Sequence, residues 1–589
     1  MRFPSFVTLA ERAREVVLRF PWTMAAGVLT ASAAIMGTTH SGHSGSNDEW
    51  LRIAAVAALG LALTVALTLF AEERGWSSAR KTVLNAAGVA LLVLFYLVWP
   101  GAERKHEAIR YFQLSAGLHL LVATLPFLGL AETTAFWQYN RRLFLGFLRA
   151  AVFSFVLYFG LVIALVALDK LFGVDVPSEL YARLYLVVVF VINTGIFLAA
   201  VPRGLRELAG DTSYPRVLKV FAQYILTPLV FIYLLMLLAY LVKIVGGGEW
   251  PSGWIGWLVT SVAVAGLLGF LLVHPLRDDT NEAWIRTYTR WLFVGLIPAA
   301  VMLLVAFWKR ILPYGLTEPR LLGVLLGLWL LLIAVSYTIR QDAGIRRIPV
   351  TLALLLLLTL YGPLSVTSLA VASQGRRLAR LVATRPAEQT AEGQRDSREA
   401  SAALRFLLDH DARREIAAAV PGELPKVEWD SVPGRRDRRD SVASQILAGA
   451  GMRYVSEYSY SPEGYVHLYA RKQAALQISG YEWMLNISAR DTAFKLAEPD
   501  SVRVRFDTAS GIARVLVGRD SLVFDLGRLT STLAESSDLR GYEVPAERLR
   551  LEAAIPGRRG TLMLESIDGR RTGKAVRVSG WRGTLFLER

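Results

Sequence analysis

The sequence predicts a polytopic α-helical membrane bundle of about eleven spans followed by a soluble α+β module, and three observations carry that fold class. Long apolar runs recur between Pro21 and Ala372. Of the 589 residues 53% are hydrophobic, and the mean hydropathy is +0.39. The runs then stop, and the chain from Ser373 onward carries 35 Lys plus Arg and 29 Asp plus Glu. A helix rising about 1.5 Å per residue needs roughly 18–20 apolar residues to cross the hydrocarbon core. In that core a helix also satisfies its own backbone polar groups.

Residues 1–20 are predicted to form an amphipathic in-plane helix. Phe6, Leu9, Ala10, Ala13, Val17 and Phe20 share one side, while Glu11, Arg12, Glu15 and Arg19 share the other, which suits the headgroup region. The segment is too charged for a cleavable signal peptide. Residues 21–372 form the bundle, with spans expected at 22–38, 51–71, 82–100, 111–131, 143–168, 181–201, 217–245, 254–275, 287–308, 320–339 and 348–371. Pro126, Pro228, Pro298 and Pro363 break them. Residues 373–440 are a helical and linker segment, helical at 376–420 and rich in Pro, Gly and Arg over 420–439. Residues 441–589 have the pattern of a mostly antiparallel α+β module. Strands at 452–460 and 465–472 flank Ser461-Pro462-Glu463-Gly464 as a hairpin. Further strands are expected at 476–488, 502–507, 513–517, 521–524, 549–553, 561–566 and 575–587, with a helix at 525–536. Gly480 and Gly580 each precede an aromatic inside a strand pattern, the mark of a bulge or close packing.

Lys and Arg set orientation. Nineteen of them fall on the N-terminus and every second loop, among them Arg19, Arg74, Arg141, Arg142, Arg203 and Arg346, against ten on the alternate loops, among them Arg52, Arg110, Arg310 and Arg320. The N-terminus is therefore expected in the cytoplasm and the tail on the outer face, although Arg376, Arg377, Arg380 and Arg385 pull the other way. Because topology accounts for most of the net charge of +16, nucleic acid is not an expected partner. The lipid bilayer is one, and the C-terminal module offers a surface for a protein partner. The chain has no cysteine, which removes disulfides, thiolate metal sites and a cysteine nucleophile.

The densest polar segment is 308–320. Pro313, Gly315 and Pro319 fix a turn there, and Thr317 with Glu318 and Pro319 suits the start of the next helix. One reading is a capping connection. The other is a cavity-lining segment in which Arg310, Tyr314, Thr317, Glu318 and Arg320 bind an anionic headgroup or solute. Glu318 is then expected to be packed against the protein, bonded to Arg310, Arg320 or a basic group of another span, and beside a cavity. Polar groups inside spans are costly in lipid; His119, Arg149, Asn193, Gln223 and His274 are the set to follow. Arg149 can snorkel to the cytoplasmic side. His119 has no carboxylate one helical turn away, so an interhelical hydrogen bond is expected rather than a metal. His274 precedes Pro275 near the interface. His40 and His43 lie in a Gly and Ser loop that suits solvation better than a metal, and Gly246-Gly247-Gly248 lacks the context of a phosphate loop. His410 and His467 have no obvious nucleophile partner, no triad or carboxylate pair stands out, no cofactor is expected, and the pattern names no catalytic residue.

Tyr314-Gly315-Leu316-Thr317-Glu318 followed by Arg320 stands with a basic aromatic stretch at 284–291, Pro298, Arg19-Phe20-Pro21, Gly362-Pro363 and Ser373-Gln374. In these features the chain resembles a group of uncharacterised polytopic bacterial membrane proteins, known as a domain of unknown function. The resemblance covers most of residues 15–380, with the YGLTE motif its most specific part. It implies a bacterial inner-membrane protein and supplies no reaction, substrate or catalytic residue. Three functions fit the sequence. They are a bundle that binds or moves a solute or lipid under a regulatory tail, a membrane-anchored sensor or assembly scaffold, and a membrane-embedded transferase acting on lipid-linked substrates.

Overall fold

The computed structural model describes residues 6–39, 46–102, 104–130, 132–211, 213–247, 254–277, 283–340, 344–384, 391–425, 429, 436–455, 465–470, 480–489, 492–495, 501–518, 520–535, 543–572 and 575–588. The chain forms two compact units. One comprises Met1–Thr384 with Ala403–Ala450, the other Arg385–Ala402 with Gly451–Arg589.

The first unit is helical. α1 (Phe6–Arg19) and α2 (Pro21–Thr39) stand at 101° to one another, where Pro21 starts a new helix without needing an N–H partner. Next come α3 (Ser46–Glu73), α4 (Ser78–Val98), α5 (Lys105–Thr124) and α6 (Thr133–Phe172). α7 (Ser178–Val187) continues through a π-helical turn, Val188–Ile192, into α8 (Asn193–Ala199), and α9 (Arg216–Phe221) through a second, Ala222–Leu226, into α10 (Thr227–Gly247). α11 (Trp254–Val273), α12 (Ala283–Tyr314), α13 (Glu318–Ile339), α14 (Arg347–Leu358) and α15 (Val366–Thr384) complete the bundle. α16 (Ala391–Asp409), α17 (Arg413–Ala419) and α18 (Arg436–Gly449) follow.

Among the described residues eight helical stretches are long and apolar enough to cross a bilayer, or nine if α1 and α2 count as one bent span. Eleven is therefore an overcount, and the surplus lies at 111–131 and 348–371. α5 opens with Lys105, His106, Glu107, Arg110 and Gln113, and α14 has only 12 residues. These two helices pack on each other. Gln113 Nε2 donates to Leu356 O at 2.8 Å and Thr359 Oγ1 at 2.9 Å, and a Cβ on Gly117 would lie 2.6 Å from Leu357. Polar groups that pair between helices escape lipid, so a helix can join the bundle without the apolarity of a free-standing span. α6 is the opposite case: Val152, Phe155, Val156 and Ile163 are all well exposed, an apolar surface of the kind a bilayer covers.

Hydrogen bonds gather the ends of these helices into two rims. At the first, Arg19 donates to Glu72, Val201 O and Pro202 O, each at 2.8 Å, Arg74 to Leu128 O at 2.8 Å, and Arg346 to Phe127 O at 2.6 Å. Arg141 and Arg142 both face Asp211. At the second, Arg52 donates to Tyr96 O and Trp99 O, and Trp99 Nε1 to Glu107 O. The YGLTE loop belongs to this second rim.

The second unit holds two sheets. β1 (Tyr465–Ala470), β2 (Trp483–Ser488), β3 (Thr492–Lys495), β4 (Ser501–Asp507), β5 (Ile512–Val517) and β6 (Asp520–Asp525) precede α19 (Leu526–Glu535); β7 (Glu543–Val544), β8 (Arg550–Ile555), β9 (Arg558–Thr572) and β10 (Ala575–Leu587) follow. β3 to β6 form an antiparallel meander, while the larger sheet runs β2-β10-β9-β1-β7 with β8 also on β9. Alternation buries Val502, Val504, Val515, Phe524 and Ile567 in one core. The hairpin expected around 461–464 lies outside the described residues, and β1 pairs with β9 and β7. Gly580 sits at a register shift in β10, before the buried Trp581.

Candidate functional site

α12 ends at Tyr314 because Gly315 turns left-handed, at φ 69°, and closes the helix with its N–H on Ile311 O at 2.8 Å. Thr317 is extended and α13 starts on Glu318 with Pro319 in its first turn. The Thr317 hydroxyl makes no capping bond. α15 holds the loop by its backbone instead. Gln374 Nε2 donates to Tyr314 O at 3.0 Å and Leu316 O at 2.8 Å, Ser373 Oγ accepts from Leu316 N at 3.1 Å, and Arg377 reaches Tyr314 O at 3.2 Å. Arg320 Nη1 bonds Gly315 O at 2.8 Å, with its guanidinium 5.6 Å from the Tyr314 ring centre. These contacts satisfy carbonyls that the end of α12 leaves free.

Glu318 is buried, and its partner corrects the expectation. The carboxylate faces His410 Nε2 at 2.5 Å, with side chains only 5% and 6% exposed; Arg320 is turned to the loop carbonyls and Arg310 is exposed. His410 follows α16. Its Nδ1 lies 2.6 Å from Phe406 O, and its ring is stacked on Phe406 at 4.0 Å and on His106 at 4.1 Å. A carbonyl only accepts, so Nδ1 carries a hydrogen. A second proton must then lie between Nε2 and the carboxylate. His106 faces Glu107 at 3.3 Å, and Arg110 binds Glu107 at 2.6 Å. The loop, α5, α15 and the residue after α16 thus meet in one buried polar cluster, which a low dielectric makes costly to leave partly paired.

The sequence named His410 without a partner and Arg377 only for its charge, and it passed over His106 and Glu107. His106-Glu107-Arg110 at the polar start of α5 was the available signal; His410 lies 92 residues from Glu318, beyond any local pattern. In the second unit His467 faces Asp568 at 2.5 Å, with 43% and 31% exposure.

The intramembrane polar residues divide. His119 and Asn193 line one cavity of about 530 Å³ between α2, α3, α5, α6 and α8, together with Thr23, Asn140 and Phe197. Asn193 begins α8 directly after the π turn, and Gln223 lies within the second π turn, half-buried. Arg149 is exposed and bonds the carbonyl of Leu145 in its own helix. His274 stands edge-on to Phe270 at 5.7 Å. Among the described residues no group of three or more His, Asp and Glu could hold a metal; His40 and His43 lie outside them.

The family model named Domain of unknown function (DUF4153) matches residues 17–403. The chain belongs to this family. The cavity and the YGLTE loop fall within the matched residues, and His410 falls just beyond them. The chain is 26% identical over 286 residues to the Uncharacterized protein PM1469 of Pasteurella multocida (strain Pm70), an alignment that covers 48% of each chain. It thus spans about half the length of that curated relative. No solved structure matches the chain significantly.

Proposed function

We propose that the protein is a multi-pass membrane protein that binds, and moves within or across the bilayer, a small apolar or amphipathic molecule, with the tail regulating access. The cavity of about 530 Å³ carries this reading. Its size is that of small-molecule sites, which are mostly apolar with a few placed polar groups, and the π turn at its edge is a helix irregularity often found at functional positions. The buried Glu318–His410 pair supports the regulatory part, because it ties the YGLTE loop to the residue that follows α16. The protein sits in a bacterial inner membrane with its N-terminus in the cytoplasm and the tail outside. In support, the arginine-rich loops gather at the first rim, whereas His410 stands at the second. Reporter fusions at Ser77 and Gly247 should report cytoplasm and outer side respectively.

The test fills the cavity. Ala123→Phe places a ring into it. Proteoliposomes of the full chain should move a fluorescent short-chain lipid between leaflets or retain a copurified lipid by native mass spectrometry, and Ala123→Phe should lose both. Wild-type protein that neither moves nor retains any such molecule contradicts the proposal.

A further inference from the structure

We infer that the cavity takes an uncharged lipid that bears a free hydroxyl group. This deepens the preceding proposal and rests on it. No Asp, Glu, Lys or Arg is among the described residues that line the cavity, so a phosphate or carboxylate head would enter without a compensating charge. The nearby rim arginines are engaged elsewhere: Arg19 on Glu72 and two carbonyls, Arg141 on Asp211 and Ser213 O. The site therefore selects against anionic heads.

Its polar groups include a histidine and two side-chain amides, and these are only half used. His119 Nδ1 lies 2.8 Å from Ser115 O, to which it donates, and in the neutral ring this leaves Nε2 as an acceptor. Asn140 Nδ2 donates to Phe136 O at 2.9 Å and Ala123 O at 3.3 Å, which leaves Oδ1 to accept. Asn193 Oδ1 accepts from Ser154 at 3.2 Å, which leaves the Nδ2 hydrogens to donate. A hydroxyl donates one bond and accepts up to two, so one of these acceptors together with the Asn193 amide donor satisfies it. The rest of the lining is apolar, with Phe144, Phe147 and Phe197 as its rings. Both His119 and Phe147 are exposed, so the polar group lies on a side that lipid chains can reach. Diacylglycerol and long-chain prenols have this chemistry.

The experiment labels full-length protein in phosphatidylcholine nanodiscs with a photoactivatable diacylglycerol. Three competitors share the same acyl chains: dioleoylglycerol, its methyl ether and dioleoylphosphatidylglycerol. Label should map to peptides carrying His119 or Phe147. Dioleoylglycerol should compete best, the ether about three- to tenfold less well, as the loss of one hydrogen bond implies, and the anionic lipid least. His119→Phe, at an exposed position where folding is not at stake, and Asn193→Leu should each weaken labelling by a similar factor. Equal competition by alcohol and ether would overturn the hydroxyl assignment and leave the cavity as a ligand site. Absence of label at the cavity would remove both.

Discussion

The two rims of the helical unit are held by different chemistry. The first is held by arginines on carbonyls and on carboxylates that keep about a quarter of their surface exposed, where water partly screens the pair. The second turns on a histidine and a glutamate that are almost wholly buried, 2.5 Å apart, beside a second histidine. An exposed ion pair contributes little and its loss is mild, while removing one member of a buried pair strands the other. The second rim should therefore be the fragile one.

Glu318→Ala leaves His410 buried opposite a gap, and the expected destabilisation is about 3–5 kcal/mol. A lowered thermal midpoint in detergent, with faster proteolysis of 403–420, would register it; an unchanged midpoint would erase the contrast between the rims. Arg19→Ala removes the most connected group of the first rim and should cost about 2–3 kcal/mol, with proteolysis of 403–420 unaffected. Between the rims, Gly27 faces the Phe190 carbonyl of the π turn so closely that an added Cβ would overlap it. Gly27→Ala should cost about 1–2 kcal/mol and weaken ligand retention in the adjacent cavity.

The smallest effect is expected at Asp211. The Ser213 hydroxyl bond, followed by its backbone N–H and the flanking Arg142 and Arg141, holds the Asp211 carboxyl down to about 2 from 3.8. A depressed carboxyl stabilises above its unfolded value and loses that contribution as pH falls through the folded one. Asp211→Asn should thus cost less than about 1 kcal/mol at neutral pH, and the difference should vanish near pH 2. A difference that grows below pH 4 would reverse the sign assigned to this group.

Local patterns made the bundle legible, because long apolar runs and loop arginines report on themselves. Strands β4, β5, β6, β9 and β10 were visible through alternation, and the Gly580 bulge through glycine before an aromatic. What escaped needed a partner. α5 and α14 looked like spans because each is apolar over part of its length, while the Gln113 bonds that join them come from 243 and 246 residues away. Glu318 stood out as a buried acid in a short polar loop, yet neighbouring arginines were the obvious partners. Its actual partner lies in a tail whose docking no periodicity reveals. In the same way, His119 and Asn193 were each noticeable, and only the packing of α5, α6 and α8 shows that they share one cavity.

Residues 403–450 belong to the helical unit, where His410 meets Glu318 and α17 packs on α15, the helix that holds the YGLTE loop. A Cβ on Gly375 of α15 would lie 3.2 Å from Glu415 Cβ of α17, close to the roughly 3.5–4.5 Å that a disulfide spans. The native chain has no cysteine, so Gly375→Cys with Glu415→Cys forms a clean reporter in intact membranes. Mild oxidation should link the two peptides, and Glu318→Ala in the same background should lower the yield. Peptides that stay separate under oxidation would contradict the docking of this segment, and with it the role assigned to His410.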